Sequence, residues 1–134
     1  MKVFEENKVE RTTIDSSMDT VVIRQYIGGL TGGRALDYSK YNGDVIHSGH
    51  LIVKQTIEGE EVYSPLEVDE NKAYKALTEG QAYAGVVVSS KLKGQAVAIM
   101  DNGRVNDAAM PYPITEEMRT KLKTDLPQLI FEHD

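Results

Sequence analysis

The sequence predicts a mainly β fold of the α+β kind: a small β-barrel or β-tulip-like domain with one C-terminal helix and a flexible N-terminal arm. Three observations lead there. From Thr20 onward, short β-branched and aromatic runs alternate with turn residues at the roughly 8–12-residue spacing of compact all-β domains. A sustained helical period occurs at one place, where Ile114, Met118, Leu122 and Leu126 recur every four positions. Residues 1–19 carry eight charges and scattered apolar side chains with neither period, so they bury too little apolar area to fold alone.

The elements follow in order. Residues 1–19 read as the arm, with a frayed terminus as the plainer alternative, and residues 20–134 as the β-rich domain. Thr20 to Ile27 (TVVIRQYI) is a strand signal, rich in β-branched and aromatic residues. Gly28, Gly29, Gly32 and Gly33 punctuate a loop, and Arg34 to Tyr38 reads as a short strand. Asn42-Gly43 signals a turn. Ser48-Gly49 marks a tight turn or bulge between two apolar runs, and Glu58-Gly59 marks another turn. Asn71 to Leu77 (NKAYKAL) predicts a short helix ended by Gly80. Ala82 to Val88 is the strongest buried strand and Gln95 to Met100 the next, with Asn102-Gly103 predicting a hairpin turn after it. Thr115 is placed to cap a helix, and Glu116 and Glu117 suit the positive end of its dipole. Pro127 disfavours helical geometry at Leu126 and ends that helix. Leu129 to Phe131 reads as a last short strand.

Bulk properties narrow the function classes. A chain of 134 residues fits one domain, and such a domain buries roughly two-thirds of its unfolded surface. There is no cysteine, which excludes disulfides, thiolate zinc sites and a cysteine nucleophile. Fifteen basic residues against 21 acidic give a net charge of −6, spread along the whole chain. No basic patch is present to neutralise phosphates, so no nucleic-acid partner is expected. The same charge disfavours an anionic membrane, and no apolar run approaches the ~20 residues of a spanning helix. The opening MKVFEENKVERTTID has no apolar core of a signal peptide, so synthesis in a cytoplasm is expected.

Each chemical constellation lacks a required member. His47-Ser48-Gly49-His50 places two imidazoles near each other, but Ser-Gly argues for a polar turn and no third metal ligand is identified by spacing. Gly28 to Arg34 (GGLTGGR) resembles a phosphate loop superficially, with Arg34-Ala35 where the lysine and hydroxyl belong. Asp69-Glu70-Asn71 opens like a calcium loop, but Ala73 and Tyr74 stand at positions that need an oxygen ligand and a glycine. Glu60-Glu61 and Glu116-Glu117 read as solvated carboxylates, and no Ser-His-Asp arrangement is signalled. No catalytic, metal or cofactor-binding residue is therefore assigned, and no cofactor is expected.

Five pieces of the chain, taken together, resemble the lambda-type bacteriophage head decoration proteins. They are Gly43 to Ile52 (GDVIHSGHLI), Tyr63 to Asp69 (YSPLEVD), Ala82 to Val88 (AYAGVVV), Asn102 to Met110 (NGRVNDAAM) and the helix from Thr115. The resemblance runs from Asn42 to the end of the helix, well over half of the chain. The arm and Thr20 to Tyr41 are not matched closely, and the chain has no tryptophan.

The resemblance implies a non-enzymatic structural virion protein on the outer surface of the expanded capsid, made in the bacterial host cytoplasm. It implies a homotrimer at local threefold axes with the major capsid protein as partner. It assigns shell binding to the arm, in which Val3, Phe4, Val9, Thr12, Thr13 and Ile14 are the candidate contact residues. Met110, Pro111, Tyr112 and Pro113 are the candidate oligomer interface: two prolines stiffen the loop, and Met and Tyr are favoured interface residues. A rigid linker into the helix is the alternative for that loop. Other readings are a different virion part, such as a head-fibre anchor or connector subunit, and a small β-barrel ligand-binding protein or enzyme using His47, His50 and Asp101.

Overall fold

The computed structural model describes residues 14–30 and 32–134. A short helical turn α1 (Asp19–Val22) leads into β1 (Ile23–Gly29). Then come β2 (Val45–Ile46), β3 (Leu51–Ile57), β4 (Glu60–Pro65), β5 (Gln81–Val87), β6 (Lys91–Leu92) and β7 (Ile99–Asn106). A 3₁₀ turn (Asp107–Ala109), helix α2 (Glu116–Asp125) and β8 (Leu129–Glu132) complete the chain.

The main sheet runs β1-β7-β5-β3-β4 with antiparallel neighbours. β8 adds to β7 in parallel, Gly103 facing Leu129 and Asn106 facing Glu132. A parallel partner needs a long crossover, and α2 lies in the connection between the two strands. β2 and β6 form a separate two-strand ladder. The order is an open path: among the described residues, neither β1 nor β4 pairs with a second strand of the main sheet. The predicted barrel is therefore corrected to an open sheet of six strands.

Closure is unnecessary because the central strands are covered on both faces. Leu51 and Val53 of β3 point into one cluster with Leu122 of α2 and Leu126 just after it, while Ile52 points into another with Ile46 and Tyr38. β5 serves both clusters through an irregular register. Ile52 faces Gly85 but Val53 faces Tyr83, which leaves Ala84 as an extra residue. Tyr83 and Val86 therefore share the α2 side, and Ala84 and Val87 the other. Leu122 is 2% exposed, so truncation to alanine is expected to cost roughly 2–5 kcal/mol.

Local chemistry explains where the chain departs from its sequence signals. Residues 71–77 form no helix. The Asp69 carboxylate accepts from the amides of Asn71 at 2.8 Å and Ala73 at 3.1 Å, and Lys72 takes a positive φ of 59°. Those contacts compete with helical hydrogen bonds, and Tyr74 instead bridges back to Val68. Arg34 to Tyr38 is not a strand beyond a single bridge from Arg34 to Val97. The Thr20–Ile27 signal splits into α1 and β1 at Ile23.

Asn102-Gly103 is not a hairpin turn but the middle of β7. Gly103 sits at φ 150°, and a Cβ there would lie 2.3 Å from the Gln25 carbonyl oxygen. That glycine permits close backbone approach rather than a turn. The Glu58-Gly59 turn forms as expected, with φ 51° and 83°, and joins β3 to β4. α2 also forms as expected: the Thr115 hydroxyl oxygen accepts from the Met118 amide at 3.2 Å, and the helix ends at Asp125.

Candidate functional site

The most unusual chemical environment belongs to His50. It stands just before β3, after the Ser48-Gly49 turn, and is 1% exposed. Its Nε2 lies 3.0 Å from the Leu66 carbonyl oxygen. A carbonyl only accepts, so Nε2 carries the proton and Nδ1 is the bare acceptor. Nδ1 is buried with no hydrogen-bond partner among the described residues.

Three tyrosines surround the ring edge to face. Their centroids lie 5.6 Å (Tyr41), 5.4 Å (Tyr74) and 5.7 Å (Tyr112) from that of His50, in the favourable range for aromatic pairs. Each comes from a different connection, and each carries a polar handle. The Tyr41 hydroxyl donates to the Val45 carbonyl at 2.5 Å, and the Tyr74 hydroxyl oxygen accepts from the Leu51 amide at 3.2 Å.

Burial sets the protonation of this group. Desolvation lowers the His50 pKa to about 4, partly opposed by the Leu66 bond, with His47 lowering it further. Burial pushes the Tyr41 hydroxyl up to about 12 and the Tyr74 hydroxyl up as well. A neutral imidazole sealed from solvent has no reactant to exchange protons with. The arrangement pins three connections to the start of β3, an interior strand of the sheet.

The chain's other candidates are dispersed. His47 is exposed and lines a shallow cleft with Asp15, Met18 and Lys72, which neither His50 nor Asp101 shares. Asp101 lies half-buried in β7. Glu61 accepts from the Tyr63 hydroxyl at 3.0 Å. The Arg34 guanidinium stacks over the Tyr63 ring at 5.4 Å. Among the described residues, no group of three or more His, Asp or Glu is placed to hold a metal ion.

The candidate interface loop splits in two. Met110 is buried in the α2-side core, and half-buried Tyr112 packs on His50. Pro111 is half-buried and Pro113 exposed. Of the candidate shell contacts, Ile14 is half-buried, while Val3, Phe4, Val9, Thr12 and Thr13 lie outside the described residues.

A second polar cluster stands at the C-terminal end. The Asp107 side chain is 4% exposed and is held by the Arg119 guanidinium and by His133 Nδ1 at 2.5 Å. Burial works against its charge, but the bonds from Arg119 and His133 prevail and hold its pKa below the ordinary carboxylate value. Beside it, Glu132 binds both Arg104 at 2.7 Å and Arg24 at 3.1 Å, tying β8 across β7 to β1.

Sequence reasoning missed the His50 cluster. Tyr41, Tyr74 and Tyr112 have no periodic spacing to His50, and their meeting depends on the sheet topology. Comparison with protein-family models, curated proteins and solved structures finds no match for the chain.

Proposed function

We propose that the chain is a structural virion protein that binds the outside of the expanded phage capsid and stabilises it, as a homotrimer at local threefold axes. The observation that carries this reading is the order of the lambda-type segments. Gly43 to Ile52 covers β2, its turn and the start of β3. Tyr63 to Asp69 covers the end of β4, and Ala82 to Val88 covers β5. Asn102 to Met110 covers β7 and the 3₁₀ turn, and α2 follows. On this reading the open sheet with its small two-strand ladder is a β-tulip-like variant, and residues 1–19 attach it to the major capsid protein.

The mechanism is mass action. A ligand that binds only the expanded lattice stabilises that lattice in proportion to its occupancy. An attachment segment that orders on binding loses entropy, so one alone binds weakly. Three on a trimer raise avidity by roughly 10²–10⁴-fold without better contacts.

The test is cosedimentation of purified protein with expanded and unexpanded capsids, with native mass measured alongside. Binding to expanded capsids alone, by a trimer, is the expected result. Removing residues 1–13 should abolish binding and leave the melting transition of the domain in place. A larger ring in the native mass points to a connector subunit instead. Equal decoration by the truncated chain sinks the attachment role.

A further inference from the structure

We propose that a polar recess at the β3–β4 side of the sheet binds one ring of a neutral saccharide. This goes beyond the capsid reading above and does not rest on it. The recess has a volume of about 250 Å³, and its floor is formed by three adjacent strands, β4, β3 and β5. Drug-sized ligands fill pockets of roughly 300–1,000 Å³, so this one suits a single small ring.

The first observation is a polar row set into an apolar sheet face. Leu51, Val53, Gln55 and Ile57 share one face of β3, and Leu51 and Val53 are buried in the α2-side core. Gln55 interrupts that apolar run. In register it faces Val62 of β4 on one side and Gln81 of β5 on the other, and Ser64 stands at the next pair on this face, opposite Val53. The Gln81 side-chain oxygen accepts from the Thr78 amide at 3.0 Å, which leaves its N–H groups to donate. Among the described residues the Gln55 amide and the Ser64 hydroxyl have no protein partner, yet neither is sealed from solvent. Amides and hydroxyls donate and accept in the way that ligand hydroxyls do. Val53 and Val62 lie between these groups and offer apolar contact to the C–H face of a ring.

The second observation is that the walls are fixed in advance. One is the segment from Asp37 to Tyr41. The Asp37 amide donates to the Tyr63 carbonyl at 2.8 Å, and the Tyr41 hydroxyl donates to the Val45 carbonyl at 2.5 Å. Leu66 and Glu67 supply another wall. The Leu66 amide donates to the Leu51 carbonyl at 2.9 Å, and the Glu67 carbonyl accepts from the Lys75 amide at 2.8 Å. Walls already held by hydrogen bonds lose little freedom when a ligand enters.

The third observation is the charge around the recess, which selects the ligand. Asp37, Glu67 and Lys40 line it. Two carboxylates against one ammonium disfavour phosphates and carboxylates, and Lys40 disfavours a lone cation. The Ser39 amide and hydroxyl hold the Asp37 carboxyl below the usual carboxylate range, so it stays an acceptor for ligand hydroxyls. An apolar ligand would strip water from Gln55, Gln81 and Ser64 without replacing its hydrogen bonds. A compact neutral ring bearing several hydroxyls satisfies all of these groups. A free sugar and the terminal ring of a polysaccharide share that chemistry.

Titration of the full chain followed by amide NMR tests this. The probes are glucose, galactose, mannose and N-acetylglucosamine, neutral oligosaccharides ending in the same rings, and inorganic phosphate. At least one neutral saccharide should saturably shift the side-chain amides of Gln55 and Gln81 and the backbone amides of Ser39 to Tyr41, with a Kd of about 0.1–1 mM, the weak affinity of a small ligand in an open site. Gln55→Leu should weaken that binding at least fivefold, and Ser64→Ala at least twofold. Thr56→Ala, exposed on the other face of β3, should bind within twofold of wild type. An oligosaccharide at least fivefold tighter than its terminal ring alone supports the site and makes a polysaccharide end its source; equal affinities support it with the free sugar as source. No saturable shift of these amides by any saccharide up to about 20 mM, well above that Kd, overturns the proposal. So does unweakened binding in both Gln55→Leu and Ser64→Ala, or phosphate that shifts these amides at lower concentration than every saccharide.

Discussion

Asp19 holds Ser90 across 71 positions of sequence, one carboxylate oxygen accepting from the Ser90 amide at 2.8 Å and the other from its hydroxyl at 2.7 Å. The Ser90 hydroxyl oxygen in turn accepts from the Ser48 amide at 3.0 Å. One side chain thus fastens the start of the described chain to the β5–β6 connection and to the turn before His50. Hydrogen bonds to a charged acceptor contribute roughly 1.5–3 kcal/mol. Asp19→Ala should lower unfolding stability by about that amount in urea. If Asp19→Ala and Asp19→Asn match wild type, the clasp contributes nothing.

His50 should make the fold acid-sensitive in a defined window. Its pKa is lowered to about 4 in the folded state, against 6.5 for the free side chain. The folded state therefore resists taking up a proton that the unfolded chain accepts. The stability this represents is full above pH 6.5 and is lost as pH falls toward 4, a loss on the order of 3 kcal/mol. Carboxylates titrate near the lower end, so the useful quantity is a difference between proteins. His50→Phe should be measurably less steep than wild type in urea titrations between pH 6.5 and 4.5. Identical slopes show that His50 does not carry the effect.

Gly103 should tolerate no side chain. Its φ of 150° disfavours L residues, and a Cβ would meet the Gln25 carbonyl oxygen at 2.3 Å and the Met100 sulfur at 2.9 Å. Gly103→Ala should cost roughly 3 kcal/mol or more and lower soluble yield. Gly59→Ala, at a position with open space around it, should cost only the roughly 1–2 kcal/mol of its positive φ. Equal losses at the two sites contradict the close β1–β7 approach.

Removing Arg119 should loosen the C-terminal end. It leaves the buried Asp107 carboxylate with His133. Breaking a buried pair costs roughly 3–5 kcal/mol, but Arg119 is 31% exposed, so solvent screening reduces this to about 1–3 kcal/mol. Arg119→Ala should lower the melting temperature and speed amide exchange in β8. Arg119→Ala with Asp107→Asn should recover part of the loss; no recovery argues against a charge-based cause.

Elements specified by neighbouring residues were the legible ones. α2 carries its cap, its dipole-matched glutamates, its apolar stripe and its stop within fourteen residues, Ile114 to Pro127. The Ala82 to Val88 run is apolar because both faces of β5 are buried. Signals that depend on distant partners misled. Asn102-Gly103 has turn chemistry, but the approach of Gln25 from β1 decides what the glycine is for. Asn71 to Leu77 has helix-forming residues, but Asp69 captures the amides first. His47 and His50 look alike in sequence, yet one is exposed and the other is sealed among three tyrosines brought by separate connections.

The parallel pairing of β8 with β7 has a consequence for synthesis. β8 leaves the ribosome after every other described strand of the sheet, yet it is a neighbour of β7. Until Leu129 to Glu132 emerges, Gly103 to Val105 of β7 have β1 on one side and no other described strand on the other. Non-local pairing of this kind is slow to form and leaves unpaired strand edges open to aggregation in the meantime. The main sheet is therefore completed only after residues 129–132 have joined it, and a chain lacking them would leave that stretch of β7 open.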